Sequence, residues 1–506
     1  MSRRTPTPDI DRIWTTTWTT HLWHMQWLNH LHTQTRANPN HPGHDHLDHY
    51  HQAAQAYTDN PTPWLLEQQH QEQITRHDLQ AALDIYNRHA GHDTAHYGLT
   101  SHDITDPTTQ IQIRDSANHI LRQITELAHQ LGQQAKTWRD QPLLARTHGQ
   151  PAQTTSYGHR IATTITPLLA AGARLEAAIQ NYDFRPPHGA VGTSADLNRV
   201  LHGWRDRWTG THTCAEKRGA IVIGPGDVAR CGCGNAPTTA SEGSPSASES
   251  PTGISGPPRA SEAAGEASEA VDLYGVYIAK AAGFQFVMPT TRQIYHRSYD
   301  LPIASAMVEV AAVAQTWATD RRLEAMLGLG NEARDSGQVG SSAMAHKTNP
   351  VLCERICSLA SVTRSHYTGL AEIAGQGWLE GDVSTSAARR LLLPQLFSNV
   401  SAILINWRDA ADRWEPDCKR LSGELELHNQ EVSTGALLHY LVESGVPRSE
   451  ARERLRGGVL GLLADADGEE HDRLLTVMVE ASRIPAMALI EVDVIAEATA
   501  SLGPSS

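Results

Sequence analysis

From Gln110 to Arg139 the apolar residues Ile113, Ala117, Ile120, Ile124, Leu127 and Leu131 recur at steps of three and four, the spacing that lines one face of an α-helix. Ile161, Ile165, Leu168, Leu175 and Ile179 repeat the pattern in the next segment, and residues 303–327, 351–376 and 387–413 read likewise. Such helices are far longer than the ordinary length of about 11 residues, and each carries a stripe that must be covered by another. No run alternates convincingly as a strand would. The expected fold is all-α: an elongated bundle of long helices. Pro167 lies inside the second helix, where it removes one backbone hydrogen bond and is expected to kink the helix at a cost of roughly 3 kcal/mol.

At 506 residues the chain exceeds the size of one compact core, so two or three subdomains or one large elongated helical body are expected; the division adopted has an N-terminal helical part over 1–105, a central long-helix part over 106–405 and a C-terminal helical part over 406–506. The central part is interrupted at about 203–270. Its stretch TTASEGSPSASESPTGISGPPRASEAAGEASEA has too little apolar surface to offset its ordering entropy, and 234–268 reads as a disordered insertion. Histidine use shifts at the same junction, with 22 of the 28 histidines preceding residue 213.

Lys+Arg number 42 against Asp+Glu 56, a net charge of −14, and no block of basic residues offers a nucleic-acid or lipid patch. Neither nucleic acid nor membrane is an expected partner. Met1-Ser2-Arg3-Arg4 leads into no apolar run suited to a signal peptide, and no stretch approaches the ~20 residues of a membrane span. A cytoplasmic protein is expected. Six scattered cysteines form no disulfide framework. Cys231 and Cys233, with Cys214 and His212 nearby, match no standard zinc spacing, and the tract from His41 to His51 reads as a solvated loop, so no catalytic metal is expected.

Chemistry concentrates in Gly340-Ser341-Ser342-Ala343-Met344-Ala345-His346-Lys347-Thr348-Asn349-Pro350. This glycine-led loop packs hydroxyls, a cation and an amide ahead of a helix holding Glu354 and Arg355. Asn349 suits an N-cap and Pro350 the first helical position, so the positive end of the helix would lie beside Lys347 and favour an anion. Lys347 is one of only five lysines. Four further polar clusters lie between helical segments: Thr75-Arg76-His77-Asp78, His96 to Ser101, Arg146 to Ala152, and Gln293 to Arg297. Each alone has an ordinary explanation. His77 and His96 fit a histidine-rich surface, Thr100 and Ser101 a helix cap, and Gln293 a turn.

Together and in this order, RTHGQPAQ, HYGLTS and GSSAMAHKTNP resemble the fumarase/aspartase superfamily, and within it the adenylosuccinate lyases. The resemblance covers about residues 4–200 and 272–450. It implies β-elimination of fumarate without a cofactor, in a homotetramer whose active sites are shared between subunits. By family position His148, Ser341, Lys347 and Glu354 would be catalytic. Ser341 would be the general base, Lys347 and Asn349 would hold the carboxylate where charge develops, His148 would protonate the departing nitrogen, and Glu354 would orient a histidine. The resemblance assigns substrate contacts to Arg76, His77, Asp78, His96, Thr100, Ser101, Gln293, Ser342 and Arg355, and the nucleotide phosphate to Ser386 and Arg390, with Arg4 as an N-terminal phosphate ligand.

Three positions depart from the family pattern. Gly381 stands where an arginine is expected three residues after Trp378, Ala345 replaces the loop proline, and Thr5 replaces a tyrosine. The missing guanidinium removes a two-pronged phosphate donor. A paralogous lyase or cycloisomerase acting on a non-nucleotide aspartate- or succinate-derived compound is therefore a second expectation, and a catalytically silent structural homologue a third.

Overall fold

The computed structural model describes residues 5–201, 273–334, 344 and 346–502. Pro8–Ile13 (α1) and Thr16–Ala37 (α2) lead into Leu47–Asp59 (α3), Pro61–Thr75 (α4) and Asp78–Ala90 (α5). These helices enclose an aromatic core of Trp23, Trp27, Tyr50, Tyr57, Trp64 and Tyr86. His24 is buried within it, its ring stacked on Tyr86 with centroids 4.3 Å apart.

The central body is built from His102–Thr137 (α6), Tyr157–Gln180 (α7), Leu301–Leu327 (α10), Val351–Ile373 (α11) and Ser386–Arg413 (α12), with the short helices Ala195–Val200 (α8) and Leu273–Ala281 (α9) between the second and third. Here α6 packs along α7, while α11 lies against both α10 and α12. Ile113, Ala117, Ile120, Ile124, Leu127 and Leu131 are all buried in one core with Ile161, Ile165, Leu168 and Leu175, as their spacing requires. The long-helix bundle is therefore observed. Helix α7 continues through Pro167, and α6 and α12 likewise contain Pro107 and Pro394.

Two expectations change. The structure contains two small antiparallel sheets: Pro142–Thr147 (β1) pairs with Gln150–Ser156 (β2), and Gly330–Glu332 (β3) with Trp414–Pro416 (β4). Residues 146–152 thus form a hairpin rather than a link between helices. Helix α10 is long and apolar enough by composition to cross a membrane, but Ala304, Met307, Val310, Ala311 and Ala314 are buried against the bundle, which accounts for its apolarity.

After α12 the chain forms Cys418–Leu427 (α13), Asn429–Glu443 (α14), Arg448–Arg456 (α15), Val459–Asp465 (α16), Gly468–Ala481 (α17) and Ala486–Ala500 (α18). Leu437, Leu441, Leu462 and Leu474 make a small core there, while α18 returns to pack on α6 and α7. Gly132 permits that return: a Cβ at this position would lie 1.8 Å from Thr499 Oγ1, so any larger residue would push α18 off the bundle. The segment 203–270, including Cys214, Cys231 and Cys233, lies outside the described residues.

Candidate active site

Several expected residues meet where the N-terminal helices join the bundle. Helix α4 ends at Arg76, whose φ of 54° turns the chain sharply. His77 then caps α5, its Nδ1 accepting from Gln80 N at 3.3 Å. The other ring nitrogen lies 3.4 Å from Ser101 Oγ. Asp78 Oδ2 takes an ion pair from Arg390 Nη2 at 3.0 Å, which ties the start of α5 to the first turn of α12, where Ser386 also lies. Thr100 N donates to Asp103 Oδ2 at 2.8 Å, and Asp103 Oδ1 accepts from the fully buried Arg185 at 2.7 Å. Arg185 Nη2 in turn donates to the Gln293 carbonyl at 2.5 Å, and Gln293 N donates to Glu380 O at 2.9 Å. Three sets of bonds, joined through the chain neighbours 77–78 and 100–101, thus bring together His77, Asp78, Thr100, Ser101, Gln293 and Arg390.

His96 lies beside this group. Trp27 Nε1, which can only donate, bonds to His96 Nδ1 at 2.9 Å. Burial lowers the His96 pKa to about 4, so at neutral pH its proton sits on Nε2 and the ring offers a donor rather than a base.

His148 occupies the two-residue turn of the β1–β2 hairpin. Its φ is 54° and that of Gly149 is 74°, the pair of positive values that a type I′ turn needs. The imidazole is exposed at the tip. The hairpin is anchored from below by the Arg146–Glu424 ion pair, by Leu144 packed with Leu425 and Val432, and by Thr154 Oγ1 donating to Ala481 O at 2.9 Å. The C-terminal helices therefore hold the tip.

The C-terminal end of the signature loop is tied by residues that local sequence did not reveal. Arg334 donates to Lys347 O and, at 2.6 Å, to Thr348 Oγ1. Glu332, buried in β3, accepts from Leu352 N at 3.2 Å and Cys353 N at 3.1 Å. Its carboxylate supplies the cap expected from Asn349, and Pro350 is the N-cap residue rather than the first helical one. The reason is electrostatic, since a carboxylate on the exposed amides of a helix start outcompetes a neutral amide. Lys347 and Glu354 are exposed beside this helix start. Arg355, expected at the substrate, instead donates to Thr5 Oγ1 at 3.3 Å and Asn406 Oδ1 at 3.0 Å, where it anchors the segment following Arg4. Arg4, Ser341 and Ser342 themselves lie outside the described residues.

His46, His49 and His92 bring ring nitrogens within 4.8 Å of one another. The rings of His46 and His92 stack face to face, centroids 3.4 Å apart and planes 11° from parallel. Ligating lone pairs lie in the ring plane, so these two do not converge on one ion as placed.

With the geometry in hand, likeness to known proteins separates the functions this scaffold could serve. A family model described as lyase matches residues 54–202. The adenylosuccinate lyase of Saccharomyces cerevisiae is 28% identical over 398 residues, covering 76% of this chain and 67% of that one. That of Schizosaccharomyces pombe is 27% identical over 392 residues, with the same shares. The chain is thus similar to a lyase family over its N-terminal part and to adenylosuccinate lyases over about three quarters of its length. Solved structures share its bundle. The fumarate lyase of Mesorhizobium sp. BNC1 superposes with a TM-score of 0.71 at 17% identity, over 96% of this chain and 97% of that one. The β-carboxy-cis,cis-muconate cycloisomerase of Acinetobacter calcoaceticus sp. ADP1 gives 0.69 at 14% identity, over 98% of both. At such identities the likeness is one of fold.

Proposed function

We propose that this protein is an adenylosuccinate lyase-like enzyme that releases fumarate from an N-succinyl purine nucleotide. The observation that carries the reading is the ordered set of motifs ending in Lys347 and Asn349 beside the start of α11, in a chain whose adenylosuccinate lyase relatives align over three quarters of its length. In this reading Ser341 removes the proton from the carbon next to the succinyl carboxylate. Negative charge spreads into that carboxylate against Lys347. The electron pair then forms the fumarate double bond as the C–N bond breaks, and His148 delivers a proton to the departing nitrogen. Serine is a weak base, and in this reading Lys347, six residues on, is the cation that favours its alkoxide. No cofactor enters the scheme. The reading places the enzyme in the cytoplasm, serving purine biosynthesis.

His148 rides on the C-terminal helices, the His77 group sits at the N-terminal junction, and Lys347 precedes α11. A homotetramer would assemble each site from these three regions of different subunits, which fits the exposed apolar residues Leu323 and Met326 on α10, Val362 on α11 and Leu391 on α12.

Gly381 favours a second reading, a lyase acting on a succinylated compound without a phosphate. One assay separates the two: fumarate release from adenylosuccinate by the purified protein, beside a His148→Ala control. Turnover that the substitution abolishes supports the nucleotide reading. Fumarate from a non-nucleotide succinyl compound alone supports the second, and silence with both, from folded protein, leaves a structural homologue.

A further inference from the structure

A cavity of about 450 Å³ opens between residues 288–299 and 374–379, lined by Arg292, His296, Arg297, Tyr299 and Trp378 among others. It is lined by Ile294 to Arg297 of the fourth polar cluster, but by none of the residues that the resemblance assigned to catalysis or substrate contacts. We propose that this cavity is an anion subsite in which Arg292 is the principal donor, taking the phosphate monoester of the nucleotide in place of the arginine that position 381 lacks. The inference rests on the lyase reading.

Three observations carry it. The cavity lining holds two arginines and a histidine and, among the described residues, no carboxylate, a polarity that suits an anion. Of the two arginines, Arg297 has both Nη atoms committed to Asp106, at 3.0 Å each, while its buried Nε has no acceptor among the described residues. Arg292 donates through Nη1 to Leu379 O at 2.6 Å and is otherwise exposed. Most of its five donors and its whole charge remain available to a ligand.

The third observation explains why the cation comes from position 292. The backbone bond from Gln293 N to Glu380 O, 2.9 Å long, presses residues 292–293 against the 379–381 turn. A Cβ at Gly381 would then lie 2.8 Å from Gln293 Oε1 and 3.2 Å from Gln293 Cβ. A side chain at 381 would push the amide end of Gln293 aside. The same close approach brings Arg292 within reach of Leu379, so Arg292 supplies a cation beside the turn that Gly381 leaves bare.

The test compares wild type, Arg292→Ala and Arg292→Lys on adenylosuccinate and on its dephosphorylated nucleoside. A charge-assisted phosphate contact of about 1.5–3 kcal/mol corresponds to a rise of roughly 10- to 100-fold in KM for the nucleotide in Arg292→Ala. The kcat and the nucleoside KM should stay unchanged, and Arg292→Lys should recover part of the loss. Equal effects on nucleotide and nucleoside, or none on either, overturn the proposal. A second arm needs no turnover: inorganic phosphate should raise the melting temperature of wild type and not of Arg292→Ala. A protein that shows this Arg292-dependent shift but cleaves no succinylated nucleotide keeps the subsite and loses the lyase reading. A phosphate shift unaffected by Arg292→Ala, or absent from wild type, removes the subsite even where turnover is robust.

Discussion

Arg297 grips Asp106 with two parallel hydrogen bonds, Nη1 to Oδ2 and Nη2 to Oδ1, each 3.0 Å long and both buried. The pair joins the segment that carries Arg292 and Gln293 to helix α6. Burial alone would raise the Asp106 carboxyl, but the adjoining guanidinium and His102 overcome it and hold the group well below the usual carboxylate range.

Removing one partner leaves the other charged and buried. Asp106→Ala should therefore destabilise the protein by about 3–5 kcal/mol, while the double change Asp106→Leu with Arg297→Met should cost less than either single change. Urea unfolding of the three variants checks this. A double variant as unstable as the sum of the singles would contradict it.

Glu332→Ala removes the carboxylate that receives Leu352 N and Cys353 N. Loss of a helix cap costs about 1–2 kcal/mol of stability. Activity should fall further than stability does, because Lys347 depends on the same helix start for its position. The comparison is kcat at a temperature where circular dichroism shows the variant folded; wild-type kcat in a destabilised variant would separate the cap from the site.

The bundle could be read from the sequence because its apolar residues repeat at a helical period over 20 and more residues, so Ile113 to Leu131 announce their own buried face. The hairpin over 142–156 was not legible. Its strands are short, mix Thr and Gln with apolar residues, and turn at His148-Gly149, a pair whose positive φ values no motif announced as a hairpin. Nor were the links that position the site. Arg185 reaches Asp103 across 82 residues and Arg297 reaches Asp106 across 191, and no local pattern encodes a partner at that separation. The motifs named His77, Ser101, Gln293 and Arg390, but Gln293 is joined to the region of Thr100 and Ser101 through Arg185, which stands outside every motif.

Burial lowers the pKa of His24 to about 3 and those of His30 and His96 to about 4. Unfolded histidine titrates near 6.5, so between there and pH 4 the unfolded chain binds more protons than the folded one, and stability falls as pH falls. The loss should approach about 1 kcal/mol per histidine per pH unit below 6.5. Urea midpoints at pH 7.5 and pH 5.5 should differ accordingly. His24→Phe, which keeps the stack on Tyr86, should flatten the slope; an unchanged slope would show that His24 is not the titrating group.

The hairpin turn should be sensitive at both of its residues, and in different ways. Gly149 has a φ of 74° with open space around its Cβ position, so Gly149→Ala meets backbone strain and no clash, at a cost of about 1 kcal/mol. His148 holds its own positive φ at an exposed tip, and His148→Gly should relieve strain and raise stability slightly while removing the imidazole. If His148 is the proton donor to the leaving nitrogen, that variant should lose about 100- to 10,000-fold in kcat. Gly149→Ala should lose far less, in proportion to how far the tip moves. A His148→Gly protein more stable and fully active would mean the strained turn serves something other than catalysis, whereas greater stability with lost activity is the signature of backbone strain retained for a functional side chain.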